Sequence, residues 1–422
     1  MKTVKKLFLT YVLLLSLFFA SIVLVHLIPQ NWIKSNVIKS VQTIQSEGLY
    51  PNLLNFKLFQ LDNFTDAVMH NIAMTGDHKK PVLSAMGNFY YRSESFLNIA
   101  NDAEKVAKDQ LSNLSKVSYG RYWQGYLVFL KPLLVIFDYS QIRIVYYLLF
   151  VFLIGSISYL TFKKNKNLVL LSSFLLTIVL FNVFIIPLSL QFSTVFIIAF
   201  IGIISILLKP IKYANEISYL PLFFIIGGCT SFFDFLTAPL VTLGLPLLFL
   251  VESHQKKWKE KLLMVIKISV VWGIGYSLIW ASKWLLGSVL TDVNIFNDAM
   301  NSSAKRTSND YRGMEMTISN IAKFIWKNIE MYGLQVYAYI SVIAMALLIF
   351  VYTKLVKSKA VLLNNIYLLL IAMMVPLWFL VLRNHSIQHG WFTWRAASVS
   401  VFALILFILN TTSLTQKNKN NG

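Results

Sequence analysis

The chain has 422 residues, 57% hydrophobic and 13% charged, against roughly 25% charged in an ordinary soluble domain. That balance excludes a soluble globular protein and points to an integral membrane protein. The net charge of +20 lies in short lysine runs between apolar segments, a pattern of membrane orientation rather than of a nucleic-acid surface; the single cysteine, Cys229, excludes an intramolecular disulfide and a cysteine-based metal site.

The first apolar run, 7–28, follows Lys2, Lys5 and Lys6. It is longer than a signal-peptide core and has no clear cleavage site after it, so it reads as an uncleaved anchor with a cytoplasmic N-terminus. Further apolar runs lie at about 142–162, 168–186, 188–208, 218–233, 238–252, 262–285, 331–353, 361–382 and 396–412. Lysines at 163–166, 209–212, 256–261, 354–359 and 417–419 all fall on the side of the N-terminus if each run crosses once. The expected fold is an all-α polytopic transmembrane bundle of about ten spans, in the plasma membrane, with both termini cytoplasmic. The stretch 123–137, with Lys131-Pro132 at its middle, would break this pattern as a span and reads as an interfacial or re-entrant helix kinked at Pro132.

The expected organisation is an anchor span (1–28), a first outer loop (29–141), spans two to seven (142–285), a second outer loop (286–330), the last three spans (331–412) and a cytoplasmic tail (413–422). Among acids the inner connections hold only Glu216, Glu252 and Glu260; the others gather at the outer face. The first outer loop is too rich in Leu, Phe, Tyr and Ile for disorder and should fold as short helices lying on the membrane.

Asp62 and Asp66 stand four apart in that loop, on one face of a helix. They suit a general base with a supporting acid, or a divalent-metal site; the plainer alternative is a solvated helix face with Asp62 as N-cap. Asp234 lies among phenylalanines at the outer end of a span, where a carboxylate faces an internal cavity or caps the helix end. Arg383, His385, His389 and Arg395 crowd one short outer turn with Trp391 and Trp394. Guanidinium there would bind phosphate in bidentate fashion; an interfacial Trp/Arg belt is the plainer reading. Arg121 and Trp123, in an aromatic stretch, could pair a phosphate and stack on a sugar, or anchor the interface. Lys283, near an outer span end, is expected to snorkel.

This layout resembles the GT-C class of membrane glycosyltransferases: many spans, a long first outer loop with early acids, and membrane-parallel helices before the second span. The resemblance rests on Asp62 and Asp66 in LDNFTD and on the helix beginning Arg121-Tyr122-Trp123. It implies a polyprenyl-phosphate sugar donor, transfer at the outer face to an envelope glycan, lipid or protein acceptor, and an acid of the first outer loop as base. Many members carry adjacent acids; here they are four apart, which leaves open which aspartate is the base and whether a divalent metal takes part. No other cofactor is implied. Arg383, Arg395, Arg121 or Lys283 would stabilise the leaving phosphate, and Asp234 would line the same cavity. The alternatives are a transporter or flippase of lipid-linked glycans, an O-antigen-type ligase or polymerase, and a non-catalytic assembly protein.

Overall fold

The computed structural model describes residues 2–209, 216–254, 256–311, 313–315, 317–320, 323 and 359–411. Among the described residues the protein is helical apart from two short antiparallel strand pairs, and it is a membrane protein by the length and apolarity of its helices. Among the described residues five helical stretches are long and apolar enough to cross a bilayer: Thr3–His26, Tyr139–Lys164, Leu190–Leu208, Trp258–Leu290 and Gly390–Thr411. Four other expected spans form the shorter apolar helices Leu168–Leu180, Ile217–Phe233, Leu240–Ser253 and Ile366–Val381, and 331–353 lies outside the described residues.

In chain order, α1 (Lys2–Val25) and α2 (Gln30–Glu47) lead into the long segment before the next apolar helix. That segment holds α3 (Asn63–Thr75), α4 (Pro81–Gly87), β1 (Phe89–Arg92), α5 (Ile99–Ala107), β2 (Ser115–Ser118) and α6 (Leu127–Ile136). The apolar helices α7 (Tyr139–Leu160), α8 (Leu168–Leu180), α9 (Leu190–Leu208), α10 (Leu220–Phe233), α11 (Leu240–Ser253) and α12 (Trp258–Leu290) follow. Next come α13 (Ile295–Thr307) and the hairpin β3 (Asp310–Tyr311) and β4 (Met314–Glu315). The chain closes on α14 (Lys359–Asn364), α15 (Ile366–Val381), α16 (Arg383–Gln388), α17 (Gly390–Thr393) and α18 (Ser398–Thr411).

Two hydrophobic cores result. One joins α7 to α12 with α15 and α18. The other lies under the segment between α1 and α7, where α2, α3, α5 and α6 pack together while α4 and α6 meet α1, and it takes in side chains of α10 and α12. Helices alone were expected in that segment, yet β1 pairs antiparallel with β2, Phe89 opposite Ser118. The aromatic run Phe89-Tyr90-Tyr91 favours a strand, and Asn88, left-handed at φ 45°, ends α4 just before it. The 123–137 stretch contains the short helix α6 with Pro132 inside it. Its Lys131 is fully buried, and Nζ donates to the Ile28 carbonyl at the end of the first apolar stretch, at 3.2 Å.

The tightest helix pair is α10 with α12. A Cβ on Gly227 would stand 2.2 Å from the Trp272 carbonyl oxygen, and one on Gly275 2.3 Å from that of Phe224. Small residues let two apolar helices touch along their backbones. Gly227→Ala or Gly275→Ala should therefore force the pair apart, at about 1–3 kcal/mol, seen as a lower melting temperature in detergent. Gly273→Ala on the same helix meets nothing within 4 Å and should melt like the parent.

Candidate functional site

The start of α9 organises the site. Ser189 occupies the N-cap position but makes no side-chain cap. Asp66, fully buried on α3, takes over that role. Its carboxylate accepts the backbone N–H of Leu190 at 3.0 Å and of Gln191 at 3.2 Å, where helix dipole and free N–H groups favour an anion. The Tyr139 hydroxyl donates to the same carboxylate at 2.5 Å. Arg143, one turn further along α7, donates to Tyr139 Oη and Asn63 Oδ1, both at 2.9 Å, and to Glu47 at 2.6 Å. Burial raises the Asp66 carboxyl to about 6, against the pull of Tyr139, the backbone donors and Arg143.

Asp62 is the N-cap of α3. Its oxygens accept the Thr65 N–H at 3.0 Å and the Thr65 hydroxyl at 2.7 Å, so the capping alternative is also present. It is only 2% exposed. Burial pushes its carboxyl up to about 7; Thr65 pulls it down, Asp66 adds to the rise, and Arg395 opposes it. Arg395 lies within electrostatic reach, stacks over Phe192 at 4.0 Å and donates to the Gln60 carbonyl at 3.5 Å. Among the described residues Arg395 forms no ion pair, and its Nη1 has no partner.

Asp234 ends α10 and accepts the Thr237 N–H, 3.0 Å from Oδ2, so it caps its own turn. Burial raises it to about 6 against these bonds. Gln191 joins the two acid clusters: its backbone meets Asp66 and its side-chain amide donates to Thr237 at 3.3 Å. His385 meets the Leu236 carbonyl at 3.0 Å, and its ring lies 4.7 Å from that of His389. Burial first lowers both imidazoles, His385 to about 3 with His389 and then Arg306 adding to the fall, and His389 to about 4 with Arg306 adding to it. The cation shared by both is Arg306 of α13, which donates to the Tyr122 hydroxyl at 2.6 Å. Asn384 ties the same turn to Ser308 and the Asp310 carbonyl. Replacing Arg306 by alanine should raise both histidines while leaving them below 6.5; a histidine NMR titration reads this directly.

Three expected ligand contacts have other work. Trp123 is fully buried, and its indole donates to the Ile279 carbonyl at 2.8 Å. Its ring is enclosed by the core rather than open to a sugar, because the 119–126 turn folds inward onto α12. Lys283 does not snorkel; it is fully buried, and Nζ donates to the carbonyls of Ala85 at 2.9 Å and Met86 at 2.8 Å. Its Nζ–H donors serve the C-terminus of α4. Arg121 pairs with Asp298 of α13 at 3.1 Å and lies over Tyr119. Arg383 heads α16 with its Nε buried and unpartnered.

These contacts place the ends of α1, α7, α9, α10, α12 and α18 at one end of the bundle, with Asp62, Asp66, Asp234, His385, His389 and Arg395 gathered there. Buried polar atoms without partners cluster among them: Arg395 Nη1, Gln191 Oε1, Ser189 Oγ, Tyr126 Oη, His385 Nδ1 and Ser231 Oγ. Unmet buried polar atoms at this density mark a place for water or for a hydroxyl-bearing ligand. Among the described residues no three His, Cys, Asp or Glu groups come together as a metal cluster. The fold and this centre define an all-helical membrane protein with an acid and arginine site at one end. Set against known protein families, characterised proteins and solved structures, the chain matches none.

Proposed function

We propose that the chain is a membrane glycosyltransferase. It moves a sugar from a polyprenyl-phosphate carrier to an envelope glycan, lipid or protein acceptor. It works at the outer face of the plasma membrane, in about ten spans with both termini cytoplasmic, a topology the lysine distribution supports. The observation that carries the reading is Asp62: an enclosed carboxyl near neutrality, within electrostatic reach of a guanidinium that forms no ion pair among the described residues and leaves Nη1 without a partner, at one end of the apolar bundle. A base works best with a pKa near the operating pH. Asp62 takes the acceptor hydroxyl proton while the acceptor oxygen bonds the anomeric carbon. The bond from that carbon to the carrier phosphate breaks, and the charge left on the phosphate is met by Arg395. Asp66 holds the frame. Asp234 and the neutral His385 and His389 offer hydrogen bonds to sugar hydroxyls, and Arg383 and Arg306 add positive charge beside them.

The test is reconstitution in liposomes with a panel of radiolabelled polyprenyl-phosphate sugars and envelope acceptor fractions. The expected result is labelled acceptor and released polyprenyl phosphate, both lost in Asp62→Asn. Movement of intact lipid-linked glycan across the bilayer with no transfer would replace this reading with the transporter.

A further inference from the structure

The chain just before Asp62 does something that packing inside the protein does not explain. Residues 49–61 form a closed loop. The Leu61 N–H donates to the Pro51 carbonyl at 3.0 Å, Asn52 bridges Gln60, and the Phe64 N–H returns to the Leu49 carbonyl at 3.1 Å. Between these ties the tip reads Leu53-Leu54-Asn55-Phe56-Lys57-Leu58-Phe59. Leu54 and Asn55 are left-handed, at φ 53° and 59°, a conformation that non-glycine residues seldom adopt. The loop spends that strain on turning apolar side chains outward: Leu54 is 79% exposed and Phe56 48%.

The base of the loop fixes where the tip lies. Tyr50 packs edge-on against Trp391 with ring centroids 5.4 Å apart, and the Gln60 carbonyl receives Arg395. Both partners head the apolar stretch Gly390–Thr411. One turn after Asp62, Asp66 holds the first N–H groups of the span-length helix α9. The loop therefore springs from the ends of two membrane-crossing helices, at the level of a bilayer surface. Its tip carries no acid and one cation, Lys57, which suits acyl chains beneath anionic phosphate headgroups.

We propose that the 49–61 loop inserts its tip into the lipid leaflet at the site end, beside Asp62. This depends on the membrane placement of the bundle and not on the transferase reading, so loss of either leaves the other standing. If both hold, the loop gives a lipid-tailed donor a path from the leaflet to the base.

The experiment uses full-length protein carrying Cys229→Ala and one nitroxide-labelled cysteine, in nanodiscs of palmitoyl-oleoyl phosphatidylglycerol. Labels replace Leu54, Leu148 on the exposed face of α7 as a lipid control, or Asp109 as a water control. Collision with oxygen reports lipid, and collision with a water-soluble nickel chelate reports solvent. The Leu54 label should group with Leu148, favouring oxygen several-fold. Grouping with Asp109 overturns the proposal. Protection from both reagents also overturns it, because the tip would then be covered by protein.

Discussion

Asp62→Asn should fold normally and lose activity by about 10²- to 10⁴-fold, the range for removing a positioned base. The fold should stand because the amide oxygen still accepts the Thr65 N–H, and the Thr65 hydroxyl can rotate to accept from the new NH₂. On the proposed reading, the parent protein's transfer rate should rise with pH through about 7 as the carboxyl loses its proton. Stability runs the other way. The folded carboxyl, raised from 3.8 to about 7, holds a proton that the unfolded chain releases earlier. Its contribution is complete below the ordinary carboxylate range and is lost as pH climbs through about 7. In Asp62→Asn the melting temperature should therefore vary less between about pH 4 and 7 than in the parent. Transfer rates over a pH series and circular-dichroism melts in detergent check both halves. Undiminished transfer by the variant would remove Asp62 from the chemistry.

The bundle could be read in the sequence because apolar runs and lysine clusters are local signals. The gathering of Asp62, Asp234 and Arg395 at one end could be read too, since Asp234 and Arg395 border apolar runs and Asp62 lies in the loop on the same expected side. Side-chain direction could not. Trp123 and Lys283 have the composition of ligand contacts, but the turn and the helix that carry them aim inward, one at Ile279 and the other at Ala85 and Met86. The partners of Asp66 were also missed. Tyr139 lies 73 positions away and Gln191 125, separations no motif spans. A signal existed at Arg143, a permanent charge at the mouth of an apolar run that requires a buried acceptor. Arg306 gave none; only the docking of α13 beside the 383–395 turn shows what it touches. The pairing of β1 with β2 was missed because an aromatic run in a mostly helical chain looks like more interface, and β3 and β4, two residues each, are too short to show a strand period.

Asp66 should show the opposite behaviour to Asp62: its loss should be felt in the fold first. Four helices meet on it. Glu47 of α2 reaches it through Arg143, Asn63 shares its helix, Tyr139 and Arg143 come from α7, and α9 offers its first N–H groups. In Asp66→Ala those N–H groups, a tyrosine hydroxyl and part of a guanidinium charge lose their acceptor together. Removing one partner of a buried charged cluster costs about 3–5 kcal/mol. Asp66→Asn keeps an acceptor oxygen but turns an NH₂ toward backbone donors, so about 1–3 kcal/mol is expected. Tyr139→Phe should lower stability by less, and the double variant Asp66→Asn/Tyr139→Phe should fall short of the sum, since both substitutions remove the same bond. Melting in detergent, ranked Asp62→Asn above Asp66→Asn above Asp66→Ala, is the expected order. An Asp66→Asn protein that melts like the parent yet transfers no sugar would exchange the roles of the two aspartates, because a group that only braces the frame cannot be lost without loosening it.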